Sequence, residues 1–147
     1  MAKYPVVVYG ASGYTGMLIM DWLIDQQIPF TAVARNAKRV QEMMAQRVVR
    51  LESATYEIIE TEHNVAALTK AFKGAKVVCN TVGPFVNFGL TAVEAALKAG
   101  CHHIDTTGEQ SYIRAVRDQF GELYRQAGLL VSPSIAYMYT FAEIAAE

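Results

Sequence analysis

Three glycines at a fixed spacing, Gly10, Gly13 and Gly16, are the residues of this sequence best suited to bind a ligand through the backbone. They follow the β-branched run 6–8, which predicts a buried parallel strand, and they precede an apolar segment that predicts a helix. We expect Gly10 to allow the tight turn, Gly13 to let the backbone approach a diphosphate, and Gly16 to let the helix pack on the strand. The backbone N–H groups and the positive end of the helix dipole would then face the phosphates.

The turn reads Gly-x-x-Gly-x-x-Gly, which is one residue longer than the Gly-x-Gly-x-x-Gly turn of many dinucleotide-binding proteins. An ordinary structural turn is the alternative interpretation of such a triplet. Its place between a strand and a helix favours phosphate binding. The predicted contacts with the diphosphate region of a dinucleotide are Gly10, Ser12, Gly13, Tyr14, Thr15 and Gly16.

A basic residue follows the second predicted strand, 31–34. In dinucleotide-binding folds this strand end meets the adenosine ribose, where an acidic residue would bind a free 2′-hydroxyl and repel a 2′-phosphate. The sequence has Arg35 there, whose guanidinium can hold a phosphate bidentately, and then Asn36, a predicted helix N-cap. We therefore predict that Arg35 and Asn36 contact the cofactor and that it is NADP(H) rather than NAD(H). Lys38 and Arg39 could instead belong to the solvated face of the next helix.

Strands and helices alternate along the whole sequence with short connections. This pattern predicts an α/β domain with a doubly wound parallel sheet of about six strands. The later strands are expected at 56–60, 77–80, 103–105 and 129–131. Two of the later helices are expected to end near residues 46 and 73, and two others to span 90–99 and 114–126. Thr140 and Glu143 predict a capping box for a last helix from about Phe141.

The composition of the 147 residues argues against several classes of protein. Hydrophobic residues make up 52% of the chain and the formal net charge is −1, so neither nucleic acid nor an anionic membrane is an expected partner. Glycines and polar residues interrupt the apolar segment 5–24, so no membrane span is expected and a cytoplasmic location is predicted. Cys79 and Cys101 fall at opposite ends of neighbouring predicted strands, too far apart for a disulfide, and are expected as reduced thiols.

The segment 81–85 follows a strand and should lie on the same rim as the glycine turn, because ligands of doubly wound sheets bind at the carboxyl ends of the strands. Gly83 and Pro84 would form a rigid wall beside the nicotinamide half of a dinucleotide. Asn80 and Thr81 would supply hydrogen bonds there. A plain turn without a ligand is the alternative.

The segment 105–109 follows the next strand and belongs to the same rim. Asp105 and Glu109 could contact the cofactor or substrate, or could fix the conformation of their own loop. His102, His103 and Asp105 look like a metal cluster in the sequence, but adjacent strand residues point to opposite faces of a sheet, so no metal site is predicted.

Three separated motifs resemble the N-terminal NADP-binding domain of the saccharopine dehydrogenase-like oxidoreductases. They are 8–16 (VYGASGYTG), 80–85 (NTVGPF) with Gly89, and 99–109 (AGCHHIDTTGE), and the similarity covers nearly the whole chain. The resemblance implies a Rossmann domain followed by a substrate-handling domain, so 1–147 is expected to be one dinucleotide-binding domain cut from a longer protein. It also implies NADP-dependent hydride transfer to or from a carbonyl, imine or enoyl substrate, which the absent domain would bind.

No catalytic residue can be assigned from the sequence, and other classes stay open. The Tyr-x-x-x-Lys pair of short-chain dehydrogenases is missing. An NADP domain of the semialdehyde dehydrogenase or acyl-phosphate reductase type can begin with the same turn, but it needs a catalytic cysteine, and neither Cys79 nor Cys101 is placed as a nucleophile. A non-catalytic NADP(H)-sensing module is the other alternative. We expect the chain alone to bind NADP(H) without turnover, and its exposed domain surface could pair two copies into a homodimer.

Overall fold

Strands and helices alternate from one end of the chain to the other. A computed structural model describes residues 1–47 and 51–146, with all of their side chains except those of Arg47, Met138, Thr140 and Glu143. The strands in this part are β1 (Val6–Tyr9), β2 (Phe30–Ala34), β3 (Tyr56–Glu60), β4 (Val77–Asn80), β5 (His102–Asp105) and β6 (Val131–Ser132). The α-helices are α1 (Tyr14–Asp25), α2 (Ala37–Arg47), α3 (Val65–Phe72), α4 (Phe85–Ala99), α5 (Gln110–Gln126) and α6 (Tyr137–Ala146), and a short 3₁₀ helix spans Leu51–Ser53.

The six described strands form one parallel sheet in the order β3-β2-β1-β4-β5-β6. At the centre, Val8 of β1 lies opposite Ala32 of β2 on one side and Cys79 of β4 on the other. The strand order reverses between β1 and β4, which is the switch point where doubly wound sheets bind ligands. The predicted α/β sheet with about six parallel strands is confirmed.

Two apolar layers cover the sheet and fix the position of its carboxyl edge. Helices α1 and α2 pack on one face, in a cluster that includes Val8, Met20, Phe30, Val40 and Met44. Helices α3 and α4 pack on the other face, in a cluster that includes Val7, Leu68, Phe72, Val78 and Ala92. Helix α5 lies against α4 through Val93, Tyr112, Val116 and Tyr124. Burial of these side chains holds the strand ends, and the loops after them, in one rim.

Several element boundaries differ from the sequence prediction. Helix α4 begins at Phe85 instead of residue 90, α5 begins at Gln110 instead of residue 114, and α6 begins at Tyr137 instead of Phe141. Strand β6 is Val131–Ser132 instead of 129–131. The predicted capping box depends on the side chains of Thr140 and Glu143, which lie outside the described ones.

Two further sequence expectations concern the cysteines and the membrane. The thiols of Cys79 and Cys101 are both free. No helix in the described part of the chain has the length and apolar character needed to cross a membrane.

Candidate functional site

The glycine turn joins β1 to α1 at the centre of the rim. Gly10 has φ +93°, a conformation that side chains rarely allow, and a Cβ there would lie 2.5 Å from the Thr81 hydroxyl oxygen. A Cβ at Gly16 would overlap the Gly10 carbonyl oxygen. These two positions therefore require glycine for the fold itself. Gly13 is exposed, and its N–H donates to Gly10 O at 2.9 Å.

The N-terminus of α1 is open. Its N-cap is Gly13, no side chain among the described residues caps its first turn, and that turn contains no acidic residue. By contrast, Asn64 Oδ1 accepts from Ala67 N at the start of α3. The first N–H groups of a helix need acceptors, and the helix dipole makes this end positive. The open end of α1 can therefore take an anionic ligand, and Tyr14 and Thr15 at its start are both exposed.

One side of the rim, here called the adenosine-side half, consists of the carboxyl ends of β1, β2 and β3. A cavity of about 200 Å³ lies between the glycine turn, the β2 end and the loop after β4. It is lined by Tyr9, Gly10, Ser12, Gly13, Ala34, Arg35, His63, Thr81, Val82, Gly83 and Phe88. Six predicted site residues, from three separate segments of the sequence, thus line one cavity. Their contact with a cofactor stays a prediction.

Arg35 is the exposed charge of the adenosine-side half. It makes no ion pair with any residue that the structure describes, and it also lines a larger neighbouring groove of about 880 Å³. Asn36 caps α2, since its Oδ1 accepts from Arg39 N at 2.9 Å, as the sequence indicated. The guanidinium is therefore free to bind a phosphate group, while the Asn36 side-chain oxygen already has a backbone donor.

Sequence reasoning missed an aromatic group beside Gly10. Tyr9 Oη lies 2.6 Å from His63 Nδ1, the two rings stack, and Phe88 meets the His63 ring edge-on. Burial raises the pKa of Tyr9 to about 12 and, with a smaller contribution from the Arg35 charge, lowers the pKa of His63. Both rings are therefore neutral near pH 7, and His63 and Phe88, which unlike Tyr9 are not buried, present aromatic surface to the cavity. The available signal was that His63 follows a strand end, as the other rim residues do.

The other side of the rim, here called the nicotinamide-side half, consists of the carboxyl ends of β4, β5 and β6. A second cavity of about 280 Å³ lies there, lined by Thr15, Ile19, Cys79, Asn80, Ile104, Asp105, Thr106 and Ile135. Asn80 is only 1% exposed, its Oδ1 accepts from Val82 N, and its Nδ2 has no partner among the described residues. The Thr81 hydroxyl donates to Tyr9 O at 3.0 Å and thereby ties β4 to β1.

Glu109 holds the loop before α4. Its two carboxylate oxygens accept from Phe85 N and Val86 N, each at 2.8 Å. This remote cap explains why α4 begins at Phe85, immediately after the cis peptide bond between Gly83 and Pro84. The sequence left open whether Glu109 contacts the ligand or fixes a loop, and in the structure its carboxylate fixes a loop.

Asp105 also fixes loops. Its Oδ1 accepts from Thr107 N and Ser134 N, and its Oδ2 accepts from the Tyr112 hydroxyl at 2.7 Å. Burial, which outweighs these hydrogen bonds, raises the pKa of Asp105 above its usual range. Asp105 thus joins the loops after β5 and β6, and its oxygens already have protein donors.

The described residues contain no group of three or more histidine, cysteine and acidic side chains that could hold a metal ion. His102 accepts a hydrogen bond from Leu130 N, whereas the side chain of His103 is fully buried. Among the predicted residues, Tyr14, Gly16, Asn36 and Pro84 are not part of the lining of either small cavity.

The parallel sheet, the switch point and the glycine turn at an open helix end define a dinucleotide-binding Rossmann domain. The model of the saccharopine dehydrogenase NADP binding domain matches residues 6–130, and the chain belongs to this family. Family membership identifies NADP as the cofactor and places the chain among the NADP-binding domains of oxidoreductases.

Relatives and solved structures agree with this assignment. The chain is 29% identical to a lipid droplet localized protein of Caenorhabditis elegans, over 89% of this chain and 32% of that protein. It is 29% identical to the saccharopine dehydrogenase-like oxidoreductase of Mus musculus, over 91% of this chain and 34% of that protein. The fold matches apo saccharopine dehydrogenase (L-Glu forming) of Saccharomyces cerevisiae with a TM-score of 0.68 at 17% identity, over 90% of this chain and 27% of that one. The chain thus spans about a third of the length of the curated relatives it matches.

Proposed function

We propose that the chain is the NADP(H)-binding domain of an oxidoreductase that transfers hydride between the nicotinamide cofactor and a carbonyl, imine or enoyl substrate. The observation that carries this proposal is the position of the two cavities, which flank the open N-terminus of α1 at the switch point of the sheet. A dinucleotide needs three such places in a row: one for adenosine, one for the diphosphate and one for nicotinamide.

The described residues fit this cofactor. Close approach of the Gly10 and Gly16 backbones leaves no space for side chains and keeps the N–H groups of the first α1 turn accessible to a diphosphate. Arg35 supplies an exposed guanidinium, without an ion pair among the described residues, for the 2′-phosphate. His63 and Phe88, with buried Tyr9 behind them, offer aromatic surface for the adenine base.

The bound cofactor supplies the hydride chemistry, and the residues on the nicotinamide-side half orient the ring. Ile19, Ile104 and Ile135 line the second cavity with apolar surface that excludes water. The unpartnered Asn80 Nδ2 is a donor suited to an amide oxygen of the ring substituent. Asp105 and Glu109 already bind backbone donors, so we assign proton transfer to the part of the whole protein that binds the substrate. We therefore expect this domain alone to bind NADP(H) without turnover.

The two cysteines give little support to the alternative of a semialdehyde dehydrogenase or acyl-phosphate reductase. Cys79 lines the second cavity, but burial raises the pKa of its thiol to about 11, so it stays protonated near pH 7. Cys101 is buried, with its Sγ near Phe72 O and Ala75 O. A semialdehyde dehydrogenase or acyl-phosphate reductase needs a thiolate nucleophile.

A non-catalytic NADP(H) sensor is the second candidate. It is favoured by one observation: Asp105, the carboxylate that lines the second cavity, holds loops instead of facing the cavity unpaired. An activity assay of the whole protein distinguishes the two functions. Turnover of NADPH with any carbonyl, imine or enoyl substrate supports the oxidoreductase. Binding without turnover across a broad panel of such substrates supports the sensor.

The direct test is calorimetric titration of the chain with NADPH, NADP⁺, NADH and NAD⁺. We expect binding of all four at the same site, with both phosphorylated forms tighter. In thermal melts, a nucleotide at about 100 times its dissociation constant should add roughly 2.7 kcal/mol to the free energy of unfolding. The absence of heat with every nucleotide, from protein that is folded by circular dichroism, would contradict the proposed function.

A further inference from the structure

We propose that Glu60 competes with the 2′-phosphate of NADP(H) for the N-terminus of α2 and so limits the preference for NADP(H) over NAD(H). The inference rests on the proposed function, because it concerns the adenosine end of the same site. Glu60 is acidic, but it comes from the third strand, not from the end of the second strand where an NAD-selecting carboxylate is expected.

The register of the sheet brings Glu60 to Arg35. Glu60 is the last residue of β3 and lies opposite Ala34, the residue before Arg35. Thr61 N donates to Ala34 O at 3.0 Å and fastens the two strand ends together. Arg35 and Glu60 consequently line the same groove of about 880 Å³. A phosphate that binds the Arg35 guanidinium enters a groove that already contains a carboxylate.

The Glu60 carboxylate occupies a place that suits a phosphate. Its Oε2 accepts from Ala37 N, the first N–H of α2, at 2.8 Å. Asn36 Oδ1 already takes the Arg39 N–H of the same helix turn. The start of α2 attracts anions through its N–H groups and its dipole, and this chain satisfies that attraction internally. A 2′-phosphate must therefore displace Glu60 or bind beside its negative charge.

The same carboxylate affects NAD(H) in the opposite direction. A ribose 2′-hydroxyl is a hydrogen-bond donor, and an acidic side chain at this end of the site can accept from it. Glu60 thus weakens the binding of the phosphorylated cofactor and supports the binding of the unphosphorylated one. Arg35 has the reverse effect, and the net preference between the two cofactors is the balance of the two effects.

Glu62 provides a matched control. It lines the same groove, carries the same charge and is exposed, but its Oε2 accepts from Asn64 Nδ2 at 3.3 Å and does not touch α2. Glu62→Gln therefore changes the net charge of the groove equally and leaves the start of α2 as it is. Glu60→Gln removes the charge but keeps an amide oxygen that can still accept from Ala37 N.

The experiment is calorimetry of NADPH and NADH binding to the wild-type chain, Glu60→Gln and Glu62→Gln at low salt, with melting temperatures measured without nucleotide. We expect NADPH to bind Glu60→Gln about three- to tenfold more tightly than wild type, as removal of one nearby like charge would give in an exposed groove where the effective dielectric constant is close to that of bulk water. NADH binding should stay equal or weaken. The gain should shrink in about 1 M salt, where the screening length is about 3 Å. Glu60→Ser, which is also neutral, should shift the preference in the same direction if Glu60→Gln folds poorly.

Four results would overturn the inference. Equal gains in Glu60→Gln and Glu62→Gln would mean that only the general charge of the groove matters. Weaker NADPH binding in Glu60→Gln would mean that the carboxylate supports the site. Wild-type protein that binds neither nucleotide would remove the proposed function and this inference together, whereas NADPH binding with an unchanged preference in Glu60→Gln removes the inference alone.

Discussion

The two halves of the rim use their charged residues in different ways. On the adenosine-side half, Arg35 is exposed and unpaired among the described residues, and the start of α1 has no side-chain cap. On the nicotinamide-side half, Asp105 and Glu109 bind backbone N–H groups of three loops or helix starts. The first half keeps the Arg35 cation and the start of α1 available for a ligand, although Glu60 caps α2, whereas the second half uses both of these carboxylates to fix its loops.

This difference shows which functional statements the residues can support. Unpaired donors and an exposed cation indicate what the ligand must offer, namely phosphate oxygens. Carboxylates that already have their donors indicate how rigid the loops are and give no information about a substrate. The cofactor can therefore be inferred from this domain, while the substrate cannot.

The largest expected effect is on the glycine turn. Gly16→Ala should lower the free energy of unfolding by about 3 kcal/mol, because the new Cβ overlaps the Gly10 carbonyl oxygen, which is backbone and cannot move aside alone. Gly121→Ala is the matched control: nothing lies within 4 Å of its new Cβ inside α5, so it should gain about 0.5–1 kcal/mol. Urea denaturation measures both, and a Gly16→Ala protein as stable as wild type would show that the turn tolerates a side chain.

A smaller effect is expected on the nicotinamide-side half. Glu109→Ala removes the acceptor of two N–H groups at the start of α4 and should lower the free energy of unfolding by about 1–2 kcal/mol. Binding of NADPH and NADH should weaken by the same factor, because the carboxylate positions the 81–84 loop and does not face the 2′ position. Glu94→Ala breaks only an exposed ion pair with Lys98 on the same helix and should cost less than about 0.5 kcal/mol. A selective loss of NADPH binding in Glu109→Ala would contradict the division between the halves.

The smallest effect is a dependence on pH. Burial raises the pKa of Asp105 in the folded state, so between its unfolded and folded pKa values the folded state binds more protons. The stability of wild type should therefore fall relative to Asp105→Asn as the pH rises from about 4, the usual pKa of an aspartate. The hydrogen bond from Arg117 lowers the pKa of Asp118. The stability of wild type relative to Asp118→Asn should therefore rise, not fall, as the pH rises toward about 4. Unfolding free energies at several pH values test this, and identical slopes for both variants would contradict the role of Asp105.

The sheet could be predicted from the sequence because its central strands β1, β2 and β4 are short, mostly apolar runs bounded by glycine, proline or polar residues. The glycine turn and Arg35 could be predicted because their meaning depends on local order: strand, turn, helix, then the end of the next strand. The α4 start could not, since its cap is Glu109, which lies 24 residues from Phe85 in the sequence. Glu60 and His63 were missed for the same reason: their roles depend on which strands are neighbours in space.

The central claim is that the glycine turn binds the diphosphate while Arg35 separately binds the 2′-phosphate. Phosphorus NMR of NADP⁺ tests it most directly, because the 2′-phosphate signal is distinct from the diphosphate signals. We predict that wild-type protein shifts both sets of signals, that Arg35→Ser shifts the diphosphate signals with little effect on the 2′-phosphate, and that Arg39→Ser behaves as wild type. A 2′-phosphate signal that shifts equally in wild type and Arg35→Ser would contradict the account.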